Sequence, residues 1–118
     1  MTTGRRNLVF IGMPGSGKST VGVLVAKRLG LGFIDTDLLI QEQAGRTLQE
    51  IVDQDGYLAL RRIEEQVLLK IECKNHIIAT GGSAAYSEPA MLHLGNNGIF
   101  VFLHADMAAL NKRIHNYE

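Results

Sequence analysis

The stretch Gly12-Met13-Pro14-Gly15-Ser16-Gly17-Lys18-Ser19-Thr20 constrains this chain more than any other. It follows the apolar run Leu8-Val9-Phe10-Ile11 and precedes apolar residues at three- and four-residue spacing: Val21, Leu24, Val25 and Leu29. A short continuous apolar run suits a strand buried on both faces. The spacing that follows suits a helix, with Gly30 just past its last turn. The loop between them fits Gly-x-x-x-x-Gly-Lys-[Ser/Thr] at Gly12, Gly17, Lys18 and Ser19. Glycines let consecutive backbone N–H groups turn toward one anion, and the helix that opens at Lys18 adds the positive end of its dipole. Lys18 then neutralises phosphate charge and the Ser19 hydroxyl becomes a Mg²⁺ ligand. Gly15, Ser16 and Thr20 complete the cradle. A glycine-rich turn that merely caps a helix would not need this flanking context, so the expectation is a nucleotide-phosphate site.

Further along, strand-like and helix-like segments alternate. Gly32 to Asp35 reads as a second strand, with Thr36 or Asp37 as cap of the next helix and Leu38, Leu39 and Ile40 as its apolar positions. Thr47 and Glu50 have the spacing of a capping box ahead of Leu48, Ile51 and Val52. A longer helix is expected from about Leu58 to Lys74, with Leu60, Ile63, Val67, Leu68 and Ile71 in register. His76 to Thr80 and Gly98 to Leu103 complete the strands; Ser87 caps a short helix, and another is expected from Asp106 to Tyr117. This alternation predicts an α/β protein with a mostly parallel central sheet. At 118 residues, with no linker or repeat, residues 1–118 form one domain.

Charge and composition narrow the partners. Twelve basic residues balance twelve acidic ones, so no electrostatic footprint for nucleic acid is present. No apolar run approaches the ~20 residues that span a bilayer. Arg5-Arg6 before Leu8–Ile11 is too short a pattern for a signal peptide, so a cytoplasmic location is expected. The lone Cys73 makes neither an internal disulfide nor a cysteine-based zinc site. His76, His93, His104 and His115 lack ligand spacing and read as structural or surface residues.

Three further places carry chemistry. Asp35-Thr36-Asp37 ends the second strand, where the carboxyl ends of parallel strands line a ligand crevice. One carboxylate there can hold Mg²⁺ through water and the other can accept a proton from a hydroxyl, although plain helix capping would also use them. Arg61 and Arg62 have acids at Glu64 and Glu65, the pattern of a solvated face, yet arginine's planar fork also suits a carboxylate. Thr80-Gly81-Gly82-Ser83 lets a backbone approach a ligand closely after the third strand.

In this order, the loop from Gly12 to Thr20, the pair Asp35 and Asp37, Gly56 followed by Leu60-Arg61 and Glu64, and Gly81-Gly82 resemble the shikimate kinase family. The resemblance runs through nearly the whole chain. It implies a three-layer α/β/α phosphate-loop kinase fold and transfer of the γ-phosphate of ATP, with Mg²⁺, to a ring hydroxyl of shikimate. It implies that Lys18 and Asp37 are catalytic and that Asp37 contacts the acceptor hydroxyls. Asp35 would lie near Mg²⁺ through water. Arg61 would bind the acceptor carboxylate, with Gly81, Gly82 and Ser83 along the other side of the ring. A monomer acting on a small hydroxy acid is expected.

The chain departs from the family pattern on the acceptor side. Ser83 stands where the family has a third glycine, and Tyr57 and Leu60 stand where Gly-Glu-x-x-Phe-Arg has its acid and aromatic. Another small alcohol, such as an amino acid or sugar acid, and a non-catalytic ATP-binding module are the alternatives this leaves. The family's mobile lid, its further arginines and its last strand lie beyond residue 118 in the family pattern. The expectation is therefore that the 118-residue chain alone is a poor catalyst. Arg113 reads as an exposed helix residue.

Overall fold

The computed structural model describes residues 6–12 and 17–103. The four strands β1 (Asn7–Gly12), β2 (Gly32–Asp35), β3 (His76–Ala79) and β4 (Gly98–Leu103) form a parallel sheet in the order β2-β3-β1-β4. Phe10 lies opposite Ala79 on one side and Val101 on the other, and Ile34 opposite Ile78. The helices are α1 (Lys18–Leu29), α2 (Thr36–Ala44), α3 (Leu48–Asp55), α4 (Tyr57–Leu69) and α5 (Glu88–Gly95), with a short 3-10 turn at Ala84–Tyr86.

The period-two alternation of strand side chains sorts the core into layers. Val9 and Ile11 join Leu68, Ile78, Ala90 and Leu94 on the face covered by α4 and α5. Phe10 and Ile77 pack with Ala26 of α1 on the other face. A third cluster of Ile40, Ile51 and Val67 ties α2, α3 and α4 together. Chain leaving β1 thus crosses to one face and chain leaving β3 to the other. The connections leaving the carboxyl ends of these neighbouring strands diverge, and the crevice between them is the place where such sheets take ligands.

Several local expectations change in detail. The cap of α2 is Asp35, whose Oδ1 accepts from the N–H groups of Asp37 (2.9 Å) and Leu38 (3.3 Å). The Asp37 carboxylate is therefore not committed to capping. Helix α4 ends at Leu69 rather than near Lys74, and Ile71 reaches the core from the following segment. That segment is pinned by Asn7, whose side chain donates to the Cys73 carbonyl and accepts from His76 N–H. In α1 the buried row is Lys18, Gly22 and Ala26, while Leu24 and Leu29 are exposed. The helix expected from Asp106 to Tyr117, with Arg113, lies outside the described residues, as do His104 and His115. Among the described residues no helix is long and apolar enough to cross a membrane.

Candidate active site

The phosphate loop enters α1 through Gly17, at φ 86° and ψ 19°, a left-handed conformation that favours glycine. Among the described residues no side chain caps this helix and no acidic residue stands in its first turn, an arrangement that suits an anion at the positive end of its dipole. Met13, Pro14, and the expected cradle residues Gly15 and Ser16 lie outside the described residues. Lys18 is 8% exposed, and its Nζ donates to the Gly12 carbonyl at 2.7 Å. Burial lowers its pKa, and the charge of Asp37 partly restores it. The Ser19 hydroxyl donates to Asp35 Oδ2 at 2.8 Å. Asp35 thus caps α2 with one oxygen and holds Ser19 with the other. A hydroxyl and a carboxylate fixed side by side are the hard oxygen donors that suit Mg²⁺. Among the described residues no group of three or more His, Cys, Asp or Glu could hold a metal by itself.

Thr80 sets the glycine turn beside this loop. Its N–H and its hydroxyl both bond the Phe10 carbonyl, at 3.2 and 2.7 Å, extending the β3–β1 pairing past the last strand residue. Gly81 follows, and its missing side chain is a requirement of packing. A methyl group there would sit 2.6 Å from Asp37 Oδ1 and 2.8 Å from Glu64 Oε2. Two carboxylates therefore close over the same α-carbon.

Two cavities adjoin at this point. One, of about 300 Å³, is lined by Gly17, Lys18, Ser19, Thr20, Asp37 and the turn Thr80-Gly81-Gly82. The other, of about 430 Å³, has an apolar floor of Ile40, Leu48 and Leu60 and a polar rim that includes Arg61, Glu64 and Ser83. Asp37 and Gly82 line both. Burial raises the Asp37 pKa, the Asp35 charge adds to the rise, and Lys18 opposes it. The first cavity has one cation, Lys18, and the opening of a helix, which suits a phosphate. The second has one arginine, two carboxylates and apolar side chains, which suits a small polyol bearing an acid group.

Of the residues singled out from sequence, Gly17, Lys18, Ser19, Thr20, Asp37, Gly81 and Gly82 line the smaller cavity. Asp37, Arg61, Gly82 and Ser83 line the larger. Arg62 and Glu65 line neither of these cavities. Two residues that sequence reasoning left out of the site belong to it. Glu64 is 5% exposed, and its pKa is raised by burial, less so because of a hydrogen bond from Ser83. Tyr86 lines the larger cavity with its ring beneath the Arg61 guanidinium, 5.1 Å from Cζ to the ring centroid. The signal for Glu64 was its three-residue offset from Arg61, which puts both on one side of α4. Tyr86 gave no such signal.

A sequence model of the shikimate kinase family matches residues 14–118. The chain is 37% identical over 111 residues to the shikimate kinase of Thermosynechococcus vestitus, covering 94% of this chain and 61% of that one. It is 39% identical over 101 residues to the shikimate kinase of Caldanaerobacter subterraneus subsp. tengcongensis, covering 85% and 59%. The solved structure of shikimate kinase from Acinetobacter baumannii in complex with shikimate superimposes with a TM-score of 0.81 at 30% identity. That match covers 98% of this chain and 65% of the other. The chain thus spans about three fifths of the length of the curated relatives it matches.

Proposed function

The chain belongs to the shikimate kinase family, and we propose that the protein it represents phosphorylates a hydroxyl of shikimate with ATP and Mg²⁺. The observation that carries this reading is the position of Asp37, on the boundary between a cationic phosphate cavity and an acceptor-sized cavity that contains Arg61. The shikimate bound to the Acinetobacter baumannii relative supports the choice of acceptor. A cytoplasmic location, with a small molecule as partner, goes with this reading.

Ser19 and Asp35 fit the metal, and Gly17, Lys18 and Thr20 fit the phosphates. Bound Mg·ATP supplies the phosphoryl group and a divalent charge that offsets the negative charge of the phosphates. The chain's own residues do the rest. Arg61 binds the acceptor carboxylate, and Gly82 and Ser83 border the ring. Asp37 would accept the hydroxyl proton as the acceptor oxygen bonds to the γ-phosphorus and the bond from that phosphorus to the β,γ-bridging oxygen breaks, with ADP as the leaving group. A base whose pKa is raised toward neutrality holds that proton better than an ordinary carboxylate does. Lys18, which lines the phosphate cavity, would offset the charge of the transferred group there.

Thermal stabilisation by shikimate and by Mg·ADP, measured separately on the full chain, tests the reading, together with shikimate-dependent ADP release. Lys18→Ala should lose the nucleotide effect and keep the shikimate effect, and Arg61→Ala should do the reverse. At a ligand concentration of 100 times Kd the stabilisation is about 2.7 kcal/mol, which a melting curve resolves. A chain that Mg·ADP stabilises while shikimate does nothing at any concentration would falsify the acceptor assignment.

A further inference from the structure

Single exposed apolar side chains are ordinary, but aromatic rings gathered in one concavity mark a surface that contacts a ligand. Tyr57 and Tyr86 form such a pair. Tyr57 is 60% exposed and Tyr86 71%, and both line the larger cavity beside Arg61. Among the described residues neither belongs to a core cluster, and neither phenol oxygen has a hydrogen-bond partner. Core packing and polar networks therefore do not account for these two rings.

The two arrive from different elements. Tyr57 opens α4, with Gly56 at φ 91° as the whole connection from α3. Tyr86 ends the 3-10 turn that follows the glycine turn. Tyr57 precedes Arg61 by four residues, which puts the two side chains on one side of α4. The Tyr86 ring lies beneath the Arg61 guanidinium. Arg61 thus has one aromatic residue a turn before it on its own helix and another under it from a separate segment. A guanidinium recognises the acid group of an acceptor and does not tell one carboxylate from another. Aromatic faces do discriminate, because they gain only from a ligand with apolar surface to lay against them.

We propose that Tyr57 and Tyr86 are specificity-determining residues of the acceptor cavity: their rings lie against the carbon skeleton of an acceptor whose carboxylate Arg61 holds, and so select a compact cyclic acid over an open-chain polyhydroxy acid of the same charge. This rests on the acceptor reading above and deepens it. An unsaturated six-membered ring offers C–H and alkene surface to an aromatic face. An open chain with a hydroxyl on every carbon offers polar groups on all sides, and those would lose water there without gaining hydrogen bonds.

The test uses the full chain. It has no tryptophan and three tyrosines, so its ultraviolet emission reports on Tyr57, Tyr86 and Tyr117. Shikimate is expected to change that emission. Tyr57→Phe/Tyr86→Phe should abolish the change and keep the shikimate affinity measured by thermal shift. Tyr57→Ala and Tyr86→Ala should each weaken shikimate about five-fold, the return on roughly 40 Å² of apolar surface taken out of water. Affinity for gluconate, an open-chain acid of the same charge, should not move, and Mg·ADP affinity is the control for folding.

Shikimate binding that leaves the tyrosine emission unchanged, or that ignores both alanine variants, would overturn the proposal. So would equal losses for shikimate and gluconate, which would mean that the rings act only through Arg61. Should Tyr86→Ala lose Mg·ADP binding as well, Tyr57→Ala decides by the same comparison of the two acids. A parent chain that binds Mg·ADP but no shikimate overturns the acceptor reading and the proposal with it, whereas shikimate binding indifferent to the rings overturns the proposal alone.

Discussion

Asp37 shows how a single residue is placed for chemistry at the expense of stability. Its pKa is raised because it is partly desolvated beside Asp35, with Lys18 only partly compensating. The native state therefore holds a proton that the unfolded chain has lost above the ordinary value of 3.8. The stabilising contribution is complete below that value and disappears as pH rises through the folded-state pKa. At pH 7 the ionised carboxylate is a net cost. Asp37→Asn should thus raise stability in urea at pH 7 by about 0.5–2 kcal/mol, the usual trade between stability and activity. The gain should shrink as pH is lowered toward 4. Turnover, where it can be measured, should fall by about 10²–10⁴ with the loss of the base. Equal stability of the two proteins across that range would remove the argument that Asp37 is held in a desolvated position. Glu64, more deeply buried and shifted in the same direction, should behave alike on Glu64→Gln.

At the level of elements, α1 separates what sequence patterning reads well from what it misses. Apolar periodicity marks large side chains, and it picked out Val21, Leu24, Val25 and Leu29. Val21 and Val25 do pack against the core on this side, but its buried row is Lys18, Gly22 and Ala26, while Leu24 is 62% exposed and Leu29 59%. Small residues let α1 lie close on Phe33 and Ile77, and closeness leaves no mark in a hydrophobicity pattern. A Cβ on Gly22 would sit 2.8 Å from Phe33 Cε1 and 3.2 Å from Ile77 Cγ2. In an exposed helix Gly→Ala gains about 1 kcal/mol. Here overpacking should outweigh it, so Gly22→Ala is expected to destabilise by about 1–2 kcal/mol in urea. A stabilised variant would mean that α1 stands further from β2 than described.

Features whose logic is local were legible. The Thr47–Glu50 capping box forms with both of its hydrogen bonds, and Ser87 caps α5 as its position suggests. The end of α4 was not. The pattern ran on through Ile71, because a core residue supplied by a non-helical segment carries the same signal as one on the next helical turn. At the site, Lys18 and Ser19 were visible because a phosphate loop constrains neighbours in sequence, and the two aspartates because they end a strand-like segment where a parallel sheet takes its ligands. Tyr86 was invisible because its partner Arg61 is 25 positions away, counting from 61 to 86, and the two meet only through the fold.

For the whole molecule, the strand order matters most, and local patterning could not supply it, since all four strands read as short apolar runs. The order β2-β3-β1-β4 puts β1 and β3 side by side at the crevice and sends β4 to the edge. Edge position has a consequence for the surface. A central strand has both backbone edges paired, whereas in the described sheet β4 pairs with β1 alone. Its apolar side chains are also only partly covered: Ile99 is 47% exposed and Phe100 41%. A strand edge flanked by apolar side chains is a template for pairing with a second copy. The 118-residue polypeptide, monomeric when dilute, is therefore expected to self-associate as its concentration rises, which light scattering during gel filtration would follow. Ile99→Lys places a charge beside the edge, the device natural sheets use against such pairing, and should hold the chain at the monomer mass to a higher concentration. Because Ile99 lies at the opposite end of β4 from the phosphate loop, Mg·ADP should stabilise this variant as it does the parent. A parent chain that remains monomeric at every concentration would show that β4 is covered in solution. A variant that associates as readily as the parent would move the contact to another surface, of which exposed Leu24 and Leu29 on α1 are the next to test.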